Sequence, residues 1–490
     1  MASPPTETGD LRAGAAVQSL MTDKPSVAVH DPLCTKAVVL DNGSTRIAVV
    51  ATDLGDASDE LVADVRRLVQ QQVSIPPGNV LINASHNHRT QGQAAEDAAE
   101  RIAQAVSRAA DSMVPVKIGI GKGREDRITM NRRLQLKDGK EWTIRRANPS
   151  PRDEDVMGVG PMDPEIGILR LDRVDGGTLA VLYDFACHPY AGVPDGGVTA
   201  DLPGFASRVV ENGLSGEDTL ALFLQGAAGD ITPIRYKDWH APPHTEQLGT
   251  MLGLSVLEAA RQAVMTDDSR LQVLTETAEL PRRTDLEQCL AALEVQQEDI
   301  LQSFTGVGCG EYGTETSLNF KTFLPLYLKH VMDPDFPSYS SYLYMQEKKV
   351  GTDDLQHLDA ENKQRIGKYL ESIHNMERLI RIRNKRQLIQ RQIEKGEEGP
   401  LQAEVQVMRI GDFVLVSFPG ETFSEVGLYI KRQSPFEFTF LASYSNGSIG
   451  YAPTADAYGG DAYEDTLTRL APEWQAMYEK KALEMIGKLR

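Results

Sequence analysis

The segment VLINASHNH, residues 80–88, decides the predicted fold. Its first half is a short apolar run of the kind that forms buried β-strands, and we predict a strand over Asn79–Ala84. Two histidines, His86 and His88, follow directly. Because they are two positions apart, their side chains project to the same side of an extended backbone, and either or both can reach one metal ion.

Similar apolar runs occur on both sides of this segment and predict further buried strands. They lie at Thr35–Leu40, Arg46–Thr52, Val116–Ile120, Ile166–Leu171, Thr178–Ala186 and Ala221–Leu224. Helical patterns with one apolar stripe lie between strands at Ser58–Gln72 and Gln93–Met113. Strands that alternate with helices indicate the α/β class, with mixed or largely parallel sheets flanked by helices.

The pattern changes after residue 280. Helical periodicity covers Asp285–Phe304 and Asp354–Glu397, whereas the Gly-, Pro- and aromatic-rich segment Gly306–Tyr344 is predicted to be irregular. Three strands and a polar helix then complete the chain, at Gln402–Met408, Phe413–Phe418, Glu437–Ser443 and Trp474–Leu489. The sequence is therefore interrupted by a helical insertion.

These changes divide the chain into three parts. Residues 1–280 form the first part of an α/β catalytic core, residues 281–400 form the helical insertion, and residues 401–490 complete the core. Two interpretations of the insertion remain open. It is either a cap that supplies specificity or a set of helices that merely covers the sheet.

Composition excludes several functional classes. The 490 residues include 41% hydrophobic and 25% charged residues, as in ordinary globular proteins. A formal charge of -19 repels polyanions, so no nucleic-acid partner is expected. No apolar run is long enough to cross a bilayer, and the four cysteines form no CxxC pair, so neither an integral membrane segment nor a cysteine-based zinc site is predicted.

The first ten residues contain no apolar stretch of the kind found in a signal peptide. If this N-terminus is native, the protein is expected to be cytoplasmic. If a leader has been removed, the expected location is secreted or periplasmic.

Metal-binding residue types follow several predicted strands. His188 comes after Thr178–Ala186, Glu421 after Phe413–Phe418, and Tyr451 after the last predicted strand. Ligands of α/β sheets collect beyond the carboxyl ends of strands, and two imidazoles, a carboxylate and a phenol can form a zinc shell. Each signal is weak alone, but three of the nine histidines directly follow strong strands, and this concentration carries the prediction.

These segments resemble the motifs of the neutral, non-lysosomal ceramidases. The resemblance rests on a strand that ends in a His-x-His motif, a His-Pro motif, an Asn-Arg pair, a Gly-Asp-Ile-Thr-Pro motif, a Pro-Gly-Glu motif and an ordered series of Asn and Tyr residues. In this sequence they stand at Val80–His88, Asp184–Pro189, Asn131–Arg132, Gly229–Pro233, Phe418–Thr422 and Ser445–Glu464. They follow one another in the family's order.

The resemblance implies a zinc site and a set of catalytic residues. It assigns the metal ligands to His86, His188, Glu421 and Tyr451. It assigns the substrate site to His88, Arg132 and Tyr463, with Tyr463 stabilising the oxyanion, and adds Asp230 and Thr232 from the Gly-Asp-Ile-Thr-Pro motif. The implied reaction is hydrolysis of an N-acyl amide or an ester by metal-activated water.

Several departures from the family pattern bear on the substrate. Thr232 stands where the family has a serine, and its branched side chain crowds a nucleophilic attack. Arg89–Gln93 replaces a Gly-rich stretch, and after Tyr463 there is room for a helix but not for the family's C-terminal β-sandwich domain. With no amphipathic helix of basic face visible, a smaller or more polar acyl compound is as well supported as ceramide.

Other functions remain open at this stage. The chain is alternatively a metal-binding homologue without catalytic turnover, or a hydrolase of a sugar- or peptide-derived substrate. Asp53 and Asp201 are candidates for orienting the histidines, and Trp239 and His240 for bordering the pocket. In each case the expected partner is a small-molecule or lipid-like substrate.

Overall fold

The computed structural model describes residues 10–144, 151, 153–216, 218–234, 245–303, 320–332, 338–459 and 462–490. Its contacts divide the chain into two compact units. The first unit contains Met1–Arg283 together with Glu398–Arg490, and the second contains Thr284–Glu397.

The described strands are, in chain order, β1 (Arg12–Ser19), β2 (Cys34–Asp41), β3 (Arg46–Thr52), β4 (Val80–Ala84), β5 (Val114–Arg124), β6 (Thr129–Asn131), β7 (Arg133–Leu136), β8 (Glu141–Thr143), β9 (Val156–Val159), β10 (Glu165–Arg173), β11 (Thr178–Phe185), β12 (Leu220–Gln225), β13 (Ile231–Pro233), β14 (Val264–Thr266), β15 (Leu271–Leu280), β16 (Leu401–Ile410), β17 (Phe413–Ser417), β18 (Glu421–Thr422), β19 (Phe438–Ala442) and β20 (Tyr451–Ala452).

The described α-helices are α1 (Asp59–Val73), α2 (Ala98–Asp111), α3 (Asp201–Gly213), α4 (Thr245–Gln262), α5 (Leu286–Ser303), α6 (Phe320–Met332), α7 (Ser341–Val350), α8 (Asp354–Lys395), α9 (Ser424–Gln433), α10 (Tyr463–Leu467) and α11 (Trp474–Gly487). Short 3₁₀ turns occur at Pro77–Asn79, Asp153–Asp155 and Ala455–Ala457. None of the described helices is long and apolar enough to cross a membrane.

The largest sheet of the first unit is mixed, as predicted. Its strand order is β12-β11-β10-β5-β1-β2-β3-β4, with β14 also paired to β5. The pairs β3–β4 and β11–β12 are parallel, and the other neighbours are antiparallel. Gln225 at the end of β12 donates hydrogen bonds to the Asn83 side chain and to the carbonyl of Ser85, just after β4, so the segments that follow β4 and β11 can meet.

A second sheet, β15-β16-β17-β19, packs against the large one. Leu169 and Leu182 of the large sheet share a core with Met408, Leu415 and Phe440 of the second sheet. Helices α1 to α4 cover the outer face of the large sheet, and α9 and α11 cover the outer face of the second. Strands buried on both faces explain the continuous apolar runs in the sequence.

The structure corrects two sequence predictions about helices. The closing helix, predicted as polar, is α11, and it buries Trp474, Tyr478 and Met485 against the second sheet. The segment predicted as irregular, Gly306–Tyr344, contains α6 and the start of α7. Proline at position 325 and the aromatic content obscure the helical period, and residues 304–319 and 333–337 lie outside the described residues.

The second unit is helical. Leu293 and Ile300 of α5 pack with Ile382 and Ile389 of α8, which is 42 residues long. Helix α6 also packs on α8, where the ring of Phe323 stacks on Tyr369. The helical content of this part of the chain agrees with the periodicity at its two ends.

Candidate metal centre and active site

His86 follows β4 and is held in an unusual backbone conformation. Its φ of 61° lies in the left-handed region, which a histidine adopts only when the surroundings favour it. The Nδ1 atom is 2.7 Å from the carbonyl oxygen of Gly55, so Nδ1–H donates to that carbonyl. The lone pair of Nε2 is therefore free to bind a cation.

His188 follows β11 and is oriented in the same way. Its Nδ1 atom is 3.2 Å from the carbonyl oxygen of Ala228, so it also donates from Nδ1 and presents Nε2 as an acceptor. Burial, and then the neighbouring His86, hold the pKa of His188 well below its usual range. A buried neutral imidazole with a fixed tautomer is the form that binds a metal.

The third histidine, His88, completes a cluster of ring nitrogens. Its Nε2 is 3.0 Å from Nε2 of His86 and 3.0 Å from Nε2 of His188. A single Nε2–H on His88 cannot donate well to the Nε2 atoms of both other histidines. A cation is therefore the better occupant of the space between the three Nε2 atoms. The three histidines satisfy the geometry of a metal site, with donor atoms within 4.8 Å of one another.

His88 nevertheless differs from the other two histidines. Its ring is exposed, whereas His86 and His188 are largely buried. Among the described residues, none forms a hydrogen bond with Nδ1 of His88. Metal-binding imidazoles almost always donate their second N–H to an orienting acceptor, so this difference separates His88 from the oriented pair.

Glu421 brings a carboxylate to the histidines. Its Oε2 atom is 3.4 Å from Nε2 of His86. The Tyr444 hydroxyl is 3.5 Å from the same oxygen, and the Tyr444 ring lies 4.2 Å from the His86 ring. Burial alone would raise the pKa of Glu421, but His86, Arg132 and Tyr451 outweigh it and lower that pKa. Glu421 is therefore an anion facing the cluster.

Tyr451 lies beside Glu421 because β18 and β20 pair with these two residues in register. Its hydroxyl accepts a hydrogen bond of 3.0 Å from Nη2 of Arg132. Arg132 is buried, and its Nε donates to Oε1 of Glu464, also buried, at 2.7 Å. The guanidinium, fixed by its salt bridge with Glu464, thus holds Tyr451 through a hydrogen bond. The Tyr463 ring lies close by, with its centroid 5.8 Å from that of Tyr451.

The Gly-Asp-Ile-Thr-Pro motif positions two more of the predicted residues. Asp230 accepts hydrogen bonds from Asn131 Nδ2 at 2.6 Å and from the backbone and hydroxyl of Ser424 at 2.8 Å, so its carboxylate joins the end of β6 to the start of α9. Thr232 is 1% exposed, and its hydroxyl accepts a 2.5 Å hydrogen bond from Tyr190. Among the described contacts, Tyr190 links Thr232 to the histidine cluster, because its hydroxyl donates to Thr232 and its ring centroid lies 4.5 Å from that of His188.

Two solved structures resemble this fold over nearly the whole chain. The neutral ceramidase from Pseudomonas aeruginosa aligns with a TM-score of 0.61 at 16% identity, over 99% of this chain and 75% of its own. A ceramidase complexed with C2 aligns with a TM-score of 0.61 at 17% identity, over 98% of this chain and 75% of its own. No protein-family model and no curated protein sequence matches the chain.

The chain has the neutral ceramidase fold. At this low sequence identity the likeness establishes the architecture, and the roles of individual residues depend on their geometry. Four of the predicted residues come together in this fold, namely His86, His88, His188 and Glu421. Predicted Asp230 and Thr232 lie beside them rather than among them.

Two other candidates for this site lie elsewhere in the ceramidase fold. Asp53 accepts a hydrogen bond from the backbone of Cys34 at 2.8 Å, and Asp201 accepts from Thr245 and from the backbone of Gly192. Neither carboxylate contacts a ring of the three histidines among the described hydrogen bonds. Trp239 and His240 lie outside the described residues.

A cavity of about 280 Å³ adjoins His86 and Glu421. Its lining consists mainly of small or polar residues, namely Gly55, Asp56, Gly420, Gly447, Ser448 and Gly450, with Tyr444 as the one aromatic side chain. Glycine is required nearby, because a side chain at Gly229 would overlap the carbonyl oxygen of Glu421. The cavity is compatible with a small polar group beside the histidines.

Sequence reasoning missed three side chains of this site. Tyr190 and Glu464 each follow or adjoin a predicted residue, two positions after His188 and one after Tyr463, so proximity in sequence was the available signal. Tyr444 follows the last predicted strand directly and has a φ of 55°. Its contact with His86 depends on the pairing of the end of β4 with the segment after β19, where the Ala84 N–H donates to the Tyr444 carbonyl at 3.0 Å, and this pairing has no sequence signature.

Proposed function

We propose that this chain is a metal-dependent hydrolase that cleaves an amide or ester bond, with zinc as its metal. The observation that carries the proposal is the convergence of three imidazole Nε2 atoms beside the Glu421 carboxylate. Such a nitrogen- and oxygen-rich donor set suits zinc. The ceramidase structures that share the fold support a hydrolase.

His86, His188, Glu421 and Tyr451 would hold the zinc. The two histidines donate their Nδ1 protons to backbone carbonyls and are therefore oriented as ligands. Burial raises the pKa of Tyr451 well above its usual range, and Arg132, which donates to its hydroxyl, acts in the opposite direction, towards the anionic phenolate that a metal needs. In this arrangement Arg132 is a positioning residue that acts through Tyr451.

When bound, zinc lowers the pKa of a coordinated water towards neutrality and polarises the scissile carbonyl. His88, exposed and neutral, accepts a proton from the attacking water and passes it to the leaving group. Tyr463 donates its hydroxyl proton in a hydrogen bond to the oxyanion that develops on the substrate. Asp230 keeps the end of β6 and the start of α9 in place through Asn131 and Ser424.

Water, rather than Thr232, would be the nucleophile. A threonine nucleophile needs a general base within hydrogen-bond reach. The partners of the Thr232 hydroxyl among the described residues are the Tyr190 hydroxyl and the carbonyl of Pro233, and neither is a base of useful strength. Thr232 then fixes Tyr190 against His188.

The substrate would be an N-acyl amide or an acyl ester, either small or lipid-like. The neighbouring structures are ceramidases, which supports a sphingolipid-related substrate. The polar lining of the cavity beside His86 and Glu421 supports a polar head group at the reacting end. Screening N-acyl amides, lipoamino acids and acyl esters, with and without a chelator, would identify the scissile bond.

Metal content and activity of single variants test the proposal. His86→Ala, His188→Ala and Glu421→Ala should each abolish zinc binding and hydrolysis, and Tyr451→Phe should weaken binding and lower the rate. His88→Ala should retain zinc and lose activity. His30→Ala is the matched control, because His30 pairs with Asp195 on the surface and should retain both properties.

Elemental analysis distinguishes the outcomes. About one zinc per chain is expected in the wild-type protein. No bound transition metal after reconstitution would contradict the site, and bound zinc without hydrolysis of any acyl substrate would indicate a metal-binding homologue. Loss of zinc in His88→Ala would make His88 a ligand.

A further inference from the structure

The small sheet β8-β7-β9 has one apolar face. Leu134 of β7 lies directly opposite Trp142 of β8 on one side and Val159 of β9 on the other. Residues that lie opposite each other in an antiparallel sheet project to the same face. Leu136, two positions after Leu134, projects to that face as well and pairs with Val156. These five residues are named the β7–β9 face.

The other face of this sheet packs on the protein. The guanidinium of Arg133 lies 4.6 Å from the ring centroid of Phe423, and the Thr143 hydroxyl donates to Oε2 of Glu464 at 2.7 Å. Because side chains alternate along a strand, the β7–β9 face is directed away from this packing. On that face Val159 is 50% exposed, and the other four residues are half-buried.

Charged residues limit the length of the β7–β9 face. The turn from β7 to β8 carries the exposed Lys137, Asp138 and Lys140, and exposed acidic residues at 153–155 come directly before β9. Both signs of charge occur at this end, so the face is distinguished by its apolar side chains and not by charge. From Arg132 to Leu136 it extends about 13 Å along β7.

The opposite end of the β7–β9 face leads to the proposed catalytic residues. The Ile144 N–H, just after β8, donates to the carbonyl of Arg132 at 2.8 Å, so the pairing of β7 and β8 continues to Arg132. Arg132 in turn donates to the hydroxyl of Tyr451. The backbone N–H of Tyr463 donates to the Thr143 hydroxyl at 3.2 Å. The apolar face is therefore continuous with the side of the site that holds Arg132 and Tyr463.

We propose that the β7–β9 face binds the acyl chain of the substrate. This assignment rests on the proposed hydrolase function and names the part of the substrate that determines specificity. With the acyl carbonyl near Arg132 and Tyr463, the chain runs along β7 and covers apolar side chains that otherwise face water. The cavity beside His86 and Glu421 has small and polar lining residues, which suit the leaving amine or alcohol instead.

The size of the face argues against a second copy of the chain as its occupant. A stable protein interface buries roughly 800 Å² on each partner. Five side chains, four of them already half-buried, offer far less than this area. A single alkyl chain, by contrast, is matched in length, because about 13 Å of strand corresponds to a decanoyl chain.

A series of acyl amides of one fluorogenic amine tests the proposal. Acetyl, hexanoyl, decanoyl and tetradecanoyl amides of an aminocoumarin are compared by kcat/KM, each below its micellar concentration. The value should rise by about twofold per methylene up to decanoyl, since a chain lying on a sheet is covered on one side only. Tetradecanoyl should gain little more, because its end reaches the charged turn. No dependence on chain length would overturn the proposal.

Two variants assign this selectivity to the β7–β9 face. Val159→Ser should lower the decanoyl-to-acetyl ratio of kcat/KM by about threefold and Leu134→Ser by about fivefold or more, because each removes apolar contact area. Val159 is half-exposed, so Val159→Ser should fold even if Leu134→Ser does not. Val174→Ser is the matched control, since Val174 lies 60% exposed between β10 and β11 and should leave the ratio unchanged. An undiminished ratio in Val159→Ser would place the chain elsewhere and overturn the proposal.

Trp142 fluorescence measures binding without turnover. Decanoate should shift the Trp142 emission to shorter wavelength and acetate should not, because only the longer chain covers the indole. Subtracting the signal of Trp142→Phe isolates this residue from Trp474, which is fully buried. A shift in a protein that hydrolyses none of the amides would support the β7–β9 face and contradict the hydrolase. No shift in a protein that hydrolyses acetyl amides would overturn the face and leave the hydrolase intact.

Sedimentation velocity provides the last check. The wild type and Val159→Ser should have the same mass. A wild-type dimer that Val159→Ser dissociates would assign the face to a second copy and overturn acyl binding.

Discussion

At the scale of single residues, the Thr232 hydroxyl tests which group attacks the substrate. Thr232→Val keeps the shape of the side chain and removes the hydroxyl that accepts from Tyr190. If water attacks, kcat/KM should fall by about one to two orders of magnitude, the effect of one lost polar contact in a transition state. Steady-state kinetics measure this loss. An acyl group found on Thr232 by mass spectrometry would contradict it.

Tyr463 has a distinct expected role and a matched control. Tyr463→Phe should lower kcat by about a hundredfold and leave the zinc content unchanged, because its hydroxyl would meet the oxyanion and not the metal. Tyr458→Phe is the control, since the Tyr458 hydroxyl donates to the carbonyl of Leu470 at 2.9 Å and supports only the fold. Equal losses in the two variants would indicate a structural effect.

The buried carboxyl of Asp53 should make the stability of the protein depend on pH. Burial raises its pKa to about 7, although the Cys34 backbone N–H works in the opposite direction. A carboxyl whose pKa is higher in the folded state makes unfolding easier as pH rises from its unfolded pKa, about 3.9, to its folded pKa. The melting temperature of Asp53→Asn minus that of the wild type should therefore increase as the pH rises from about 4 to about 7. Above pH 7 the difference should stay constant. A constant difference across this range would contradict the assignment.

Much of the candidate site could be predicted because its residues follow strands in sequence. His86, His88, His188 and Glu421 each come just after an apolar run, and strand ends meet at one edge of a sheet. Which ring nitrogen of each histidine faces the cluster could not be predicted. It depends on the carbonyls of Gly55 and Ala228, and backbone carbonyls carry no sequence signal.

At the scale of secondary-structure elements, strands with two buried faces were the most predictable. The predicted strand Arg46–Thr52 has the same bounds as β3, because an uninterrupted apolar run ends at polar residues. Strand β15 was not predicted, since most of its residues are only partly buried and it lies at a sheet edge. Helices α3 and α4 were also missed, and their burial on the sheet follows from tertiary packing.

The contact between the two sheets makes a glycine of β10 indispensable. A Cβ at Gly167 would lie 2.6 Å from the ring of Phe440 on β19. Gly167→Ala should therefore lower the free energy of unfolding by about 1–3 kcal/mol, as overpacking does. Gly158→Ala on β9 is the control, because its nearest neighbour would be at an ordinary 3.5 Å. Denaturant titration measures both, and Phe440→Leu should recover part of the loss in Gly167→Ala.

At the scale of the whole molecule, the chain combines a four-layer α/β unit with a separate helical unit. All the candidate metal and catalytic residues belong to the first unit. The proposed chemistry therefore lies in one of the two units.

The connection between the units allows this division to be tested by excision. Leu280 at the end of β15 pairs with Leu401 at the start of β16, so the chain leaves and re-enters the first unit at neighbouring strand ends. Arg282 Nε donates to the carbonyl of Gly399 at 3.0 Å, which keeps the two ends together. A linker of about four Gly and Ser residues can therefore replace residues 284–397.

The shortened chain should fold, bind about one zinc and hydrolyse a small soluble acyl substrate at nearly the wild-type rate. Its strands already form a complete sheet without the insertion, so its melting temperature should stay within about 5 °C of that of the first unit in the intact protein. Loss of zinc from a folded shortened chain would show that the helical unit supports the metal site.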